Sequence, residues 1–182
     1  MTTFPVHSVV TAPEDSKAIL AKVRDKFGFV PNLMGVLAEA PVAAETYATV
    51  MEIFDRSSLN EAEKQTILLT ASHENECEYC MAAHSTAAGV KGVSSETIGA
   101  LRTGGVIPDA KLNALSVFVR SIVKTRGWPD EEAKEAFFNA GYGTQQYLEV
   151  VVGVSLKTLS NYVNHATQTP LDGIFEPQKW AA

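Results

Sequence analysis

Apolar residues recur at three- and four-residue spacing from one end of this chain to the other, and no stretch of useful length alternates apolar with polar. That period belongs to helices burying one face, whereas a half-buried strand needs a period of two. The chain is therefore expected to be all-α. Its 182 residues fit one domain, residues 1–182, and can bury a core without disulfide or metal support. Seven to nine helices are expected.

Local punctuation sets their bounds. "EDSKAILAKVRDKFG" places Ile19, Leu20, Val23 and Phe27 on one face and stops at Gly28, a residue suited to a left-handed cap. Pro31 and Pro41 bracket "NLMGVLAEA", a helical turn or two, and Pro41 opens "PVAAETYATVMEIFDR". Asn60 and Glu63 form a capping box for "NEAEKQTILLTASHE". A helix from about Cys77 to Gly89 follows, then "SSETIGALRTGG", capped by Ser94 or Ser95. "PDAKLNALSVFVRSIVKTRG" turns Leu112, Leu115, Val119 and Ile122 inward, and "PDEEAKEAFFNAG" carries its acids near the N-terminus, where the dipole favours them. The longest helix runs from Thr144 towards Pro170; its Val150–Val154 stretch is strand-like alone, but its length and flanks favour a buried helix. The last dozen residues, with Pro170, Pro177 and Trp180, read as an extended tail with an exposed indole, able to lie on a neighbour.

Charge narrows the function. A net charge of -6 opposes phosphate-backbone binding, which needs clustered Lys and Arg. Arg120, Lys124 and Arg126 read as a solvated helix face. No apolar run approaches the roughly 18 residues that span a bilayer, and "MTTFPVHSVVTAPEDS" has neither a basic nor an apolar leader region. A cytoplasmic protein that binds neither nucleic acid nor membrane is expected.

Chemistry concentrates in "ENECEYCMAAHS", which holds the only two cysteines, Cys77 and Cys80, with His84 one turn on. In a reducing compartment such a pair is catalytic, redox-sensing or metal-binding. Asn75 with Glu78 three residues later reads as an N-cap, which puts Cys77 at the second helical position. The helix start favours a thiolate there. Cys77, Cys80 and His84 share one stripe, so the thiols can bridge and His84 can take a thiol proton. Two other readings stand beside this one. A zinc site would recruit His73 or His165 as fourth ligand, and a buried structural pair needs no chemistry at all.

"CEYCMAAH" resembles the CxxCxxxH motif of alkylhydroperoxidase D-like (AhpD-like) proteins in the carboxymuconolactone decarboxylase superfamily. The resemblance is close over residues 59–90 and looser, towards peroxidase-related members, over "GFVPNLMGVLAEAP" and "LSNYVNHATQTPLD". It implies an all-helical AhpD-like domain that assembles as a homo-trimer or homo-hexamer and reduces hydroperoxides with no cofactor or metal. Carried over, Cys80 is the attacking thiol, Cys77 the resolving thiol and His84 the proton acceptor. Helix position alone favours Cys77 as the more acidic thiol, whereas register favours Cys80 beside His84. The implied partners are a small hydroperoxide and a dithiol reductant protein, thioredoxin-like or lipoyl-bearing.

One position departs from the family pattern. Its proton relay ends in a glutamate twelve residues before the first cysteine, and here that residue is Gln65. An amide can orient His84 but cannot take up its proton. Glu63 lies about 200° around the helix and points away. Tyr79, Asn161 and His165 are the other candidates for the relay. Decarboxylase-like chemistry on a small acid is the alternative activity, and it calls for a basic residue in the pocket; none is evident near the motif. A redox-sensing or structural protein is the remaining class.

Overall fold

In a computed structural model, residues 3–182 are described; Met1 and Thr2, at the head of the stretch read for a leader, lie outside them. Among the described residues there are nine α-helices, one 3₁₀ helix and no strand. None of these helices is long and apolar enough to cross a membrane.

Helix α4 (Glu61–Glu74) is the centre of the packing, in contact with α5 (Glu78–Val90), α6 (Ser95–Thr103), α7 (Ala110–Thr125) and α9 (Thr144–Thr167). Its start is the capping box expected from sequence: Asn60 Oδ1 accepts from the Glu63 amide at 2.9 Å, and the Glu63 carboxylate accepts from the Asn60 amide at 2.9 Å. Because it is enclosed all round, α4 buries polar and apolar positions alike, including Gln65, Thr66 and Thr70. Helices α1 (Glu14–Phe27), α2 (Asn32–Leu37) and α3 (Pro41–Asp55) wrap one side, and α8 (Glu131–Asn139) closes the other against α7. There the Phe118 and Phe137 rings meet at 4.3 Å.

The Val150–Val154 stretch is helical inside α9. It runs so close to α3 and α4 that a Cβ on Gly153 would lie 2.8 Å from Ile67 Cγ2 and 2.9 Å from the Phe54 ring. Only hydrogen fits at that crossing.

Four expectations are corrected. Gly28 caps α1 with φ 83, but Phe27 does not face inward; it is 42% exposed. Asn75 ends α4 rather than starting α5, Glu76 turns the chain with φ 54, and Cys77 is itself the N-cap. The pattern misleads because Asn suits both helix ends. Arg120 does not belong to a solvated face: its Nε binds the buried Glu74 carboxylate at 2.6 Å and ties α7 to α4. The tail folds onto its own chain as the 3₁₀ helix Gly173–Gln178 against α5. Arg102 donates to the carbonyls of Gln178 and Lys179, and the half-buried Trp180 indole donates to Arg102 O at 2.8 Å. These ties are side chain to backbone, with no periodicity to betray them.

Gly153→Val is expected to destabilise the protein by about 1–3 kcal/mol, the usual range for overpacking a filled crossing. Urea denaturation should show a lower midpoint. An unchanged midpoint would mean that α9 does not approach this closely.

Candidate active site

The turn between α4 and α5 places the two thiols. With Asn75 closing one helix and Glu76 left-handed, the Cys77 amide donates back to Ser72 O at 2.9 Å, and Cys77 O accepts from Met81 as the first bond of α5. Cys80 therefore occupies the third helical position. Both assignments move by two residues from the sequence reading, and it is Cys80 that lies within the first turn, where the helix dipole favours a thiolate. Both thiols are free and buried.

Opposite them, α9 presents Lys157, Ser160, Asn161 and Asn164, all buried. Asn164 Nδ2 donates to Cys80 Sγ at 3.2 Å and to Cys77 Sγ at 3.7 Å. The Ser160 hydroxyl lies 3.8 Å from Cys80 Sγ. Lys157 is fully buried, and its ammonium has no hydrogen-bond partner among the described residues. Burial disfavours that charge, yet the neighbouring Cys80, Tyr47 and Cys77 raise the Lys157 pKa above its ordinary value.

These contacts split the thiols. Burial pushes Cys80 up, but the hydrogen bond from Cys77 and the Lys157 charge outweigh it, holding Cys80 well below an ordinary thiol. Cys77 moves the other way, raised by its hydrogen bond to Cys80 and then by burial. The direction of the split favours the thiolate at Cys80 and the thiol at Cys77.

His84 is half-buried, with Nδ1 3.3 Å from Oε1 of the buried Gln65. Burial, then the Lys157 and Lys91 charges, hold its pKa well below the ordinary histidine value. The imidazole is therefore neutral. An amide oxygen accepts only, so Nδ1 carries the proton and Nε2 is left as an acceptor. No hydrogen bond joins His84 to Cys80 among the described residues; the two meet as walls of one cavity.

That cavity measures about 390 Å³ and is strongly apolar, walled by Phe27, Phe29, Leu33, Met34, Met51 and Phe175, with Cys80, His84 and Lys157 as its chemistry. The exposure of Phe27 thus has a place at this wall. Lys91 also lines it and pairs with Glu61 at 2.6 Å.

The other sequence candidates lie elsewhere. Tyr79 borders the cavity, but its hydroxyl donates to Asp172 Oδ2 at 2.5 Å and accepts from the Leu33 amide at 3.3 Å. Burial and that bond to Asp172 raise its pKa, so it stays protonated. Asp172 also accepts from the Asn32 amide at 3.1 Å, so Tyr79 locks tail, α2 and α5 together. Asn161 Oδ1 accepts from Asn75 Nδ2 at 2.9 Å, bracing the turn before Cys77. His165 is exposed and faces a separate groove. His73 packs its ring on Trp180, and among the described residues no group of three or more His, Cys, Asp or Glu comes together to hold a metal.

Sequence reasoning missed Lys157, Ser160 and Asn164. Their signal was a polar stripe at positions i, i+3, i+4 and i+7 inside an otherwise apolar helix. A basic residue does lie beside the motif, contrary to the sequence expectation, because Lys157 is 77 residues from Cys80 along the chain but adjacent to it in space.

The carboxymuconolactone decarboxylase family model matches residues 40–119, which contain α3 to α6 and the cysteine pair. No curated protein sequence matches the chain. Among solved structures, a cysteine-to-alanine form of the debrominase Bmp8 in complex with 2,3,4-tribromopyrrole superposes with a TM-score of 0.82 at 15% identity, covering 98% of this chain and 96% of that one. An uncharacterized peroxidase-related protein with an alkylhydroperoxidase AhpD core, from Ralstonia eutropha JMP134, gives 0.82 at 21% identity, covering 94% and 93%. A peroxidase-related protein from Silicibacter sp. TM1040 gives 0.82 at 18% identity, covering 97% and 94%. At these identities the likeness is one of fold.

Lys157→Met is expected to leave the fold intact, since a buried charge is exchanged for an apolar chain of similar length. It should raise the pH midpoint of Cys80 alkylation by iodoacetamide, and below that midpoint the thiolate fraction should fall about tenfold for every pH unit by which the midpoint rises. A midpoint equal to that of the parent would show that Lys157 does not hold the thiolate.

Proposed function

We propose that the chain, whose residues 40–119 match the carboxymuconolactone decarboxylase family model, is an alkylhydroperoxidase D-like member of that superfamily and a thiol-dependent hydroperoxide reductase that turns over through a Cys77–Cys80 disulfide. The observation that carries the reading is the placing of the pair: Asn164 Nδ2 donates to both sulfurs, and Cys80 lines an apolar cavity together with Lys157 and His84, an environment that draws the Cys80 thiol down and pushes the Cys77 thiol up.

The chemistry balances on these groups alone. Cys80 attacks the terminal oxygen of R–O–O–H, the O–O bond breaks, and the alkoxide leaves as an alcohol with a proton from the Lys157 ammonium. His84 Nε2 accepts from the peroxide hydroxyl and orients it. Cys77 then attacks the Cys80 sulfenic acid, forming the disulfide and releasing water. A dithiol restores the pair, returning one proton to Cys77 and one to Lys157. The role of His84 differs from proton acceptor, because the thiolate already has a counter-ion. The apolar walls fit a bulky organic hydroperoxide, and the need for dithiol reductant fits a reducing compartment such as the cytoplasm.

A second reading rests on the same lysine. Its ammonium, without a hydrogen-bond partner among the described residues and at the wall of an apolar cavity, also suits the carboxylate of a small acid, as decarboxylase-like chemistry requires.

Mass spectrometry after brief treatment with stoichiometric cumene hydroperoxide tests the proposal. The wild type is expected to form the Cys77–Cys80 disulfide, Cys77→Ser to accumulate a trappable sulfenic acid, and Cys80→Ser to react no faster than a free thiol. Sulfenic acid in Cys80→Ser alone would reverse the roles. No accelerated oxidation in any form would leave the decarboxylase-like reading.

Assembly as a homo-oligomer is also proposed. Exposed Val42 on α3, with Leu148, Val151 and Tyr162 on α9, gives packed helices an apolar outer face. Sedimentation velocity at micromolar concentration should give a trimer or hexamer; a monomer there would refute it.

A further inference from the structure

The two sulfurs face different spaces. Cys80 lines the apolar cavity, while Cys77 lines a separate polar groove of about 410 Å³ between the start of α5 and the end of α9. Glu76 and Glu78 border the groove from one side, and His165, Gln168 and Thr169 from the other. Asn164 joins them from within: it is 5% exposed, its Nδ2 holds both sulfurs, and its Oδ1 is buried without a hydrogen-bond partner among the described residues.

We infer that this groove is the binding site for the reducing dithiol, whose thiolate attacks Cys77 from the side opposite the peroxide cavity. The inference rests on the reading of the pair as a disulfide that turns over. Bond chemistry and position select the same sulfur. Attack on a disulfide is faster when the departing thiol is the more acidic one. Attack on Cys77 Sγ breaks the Cys77–Cys80 bond and expels Cys80, whose thiolate forms beside Lys157. Attack on Cys80 would expel Cys77, the less acidic thiol, beside a groove bordered by the carboxylates of Glu76 and Glu78. The partner's second thiol then attacks its own sulfur in the mixed disulfide, closing the partner's disulfide. Its proton passes to Cys77, and the proton of the first thiol passes to Lys157.

Cys77 is only 1% exposed, so its sulfur lies at the bottom of the groove rather than on the surface. A dithiol carried on a slender arm reaches it; a broad protein face does not. The Asn164 oxygen can accept from the incoming S–H, and the His165 imidazole offers a base at the mouth. The carboxylates of Glu76 and Glu78 favour a neutral or cationic carrier over an anionic one.

The test separates the half-reactions. The disulfide is made with diamide, which needs no peroxidase activity, and reduced under pseudo-first-order conditions with dihydrolipoamide; oxidation of the reduced protein by cumene hydroperoxide is timed separately. His165→Trp and Glu78→Trp, both at exposed positions on opposite walls, should each slow reduction relative to oxidation by about tenfold or more. Ala87→Trp, in the cavity wall, should do the reverse. With glutathione as a one-thiol probe and acid quenching, tandem mass spectrometry should find the mixed disulfide on Cys77. Groove variants that reduce at the parental rate, a cavity variant that slows both reactions equally, or a mixed disulfide on Cys80 would each overturn the inference. Absence of peroxide oxidation alongside a groove-dependent reduction would count against the peroxidase reading and leave the groove assignment standing.

Discussion

A lysine ammonium with no exposed surface and, among the described residues, no hydrogen-bond partner lies among two thiols and a phenol, and much of the molecule is arranged to keep it there. Burying such a charge costs several kcal/mol even when a counter-ion is supplied, so the Lys157–Cys80 pair is not a device for stability. Its effect is on the thiol. In a dry site the lysine has few other charges to answer, and the Cys80 proton is the one the site gives up most readily. The helix start adds a smaller contribution of the same sign at Cys80.

Holding α9 against α5 at this distance falls to neighbouring contacts. The bare backbone of Gly153 lets α9 approach α3 and α4, which sets how deep Lys157 sits one turn later. The Asn75–Asn161 bond fixes the turn that delivers Cys77. Tyr79, read from sequence as a relay, is a strut to Asp172 and α2, and it keeps Phe175 at the cavity wall, where the two rings meet at 6.0 Å. The tail is thus part of the enclosure.

What was legible in the sequence is what is local. The Asn60–Glu63 box and the Gly28 cap each need partners within a few residues, and both appear as expected. The AhpD-like fold and the placing of Cys80, His84 and Gln65 followed from one contiguous motif and its register with the preceding helix. The rest failed for a common reason. Lys157 and Asn164 act on residues 77 to 87 positions away, and periodicity marks a buried face without saying what it is buried against. Asn161 was picked from the right stripe and given the wrong neighbour. His165, one turn further, is on the exposed side of the same helix.

The departure at Gln65 takes on a different meaning beside Lys157. Where a site generates its thiolate by passing a proton to histidine and on to a carboxylate, an amide at that position breaks the relay. Here Lys157 draws the Cys80 thiol down, burial with the Lys157 and Lys91 charges holds the His84 pKa well below its ordinary value, Lys91 is paired with Glu61 at the cavity wall, and Gln65 carries no charge. A carboxylate at residue 65 would add a second anion to a low-dielectric enclosure, charge the imidazole, and compete with the sulfur for positive charge. The amide instead fixes the tautomer of His84 and leaves the balance of charge untouched. Gln65 and Lys157 are therefore two parts of one arrangement, in which the cation that a relay would have to create on the imidazole is supplied in the resting site by the Lys157 ammonium of α9.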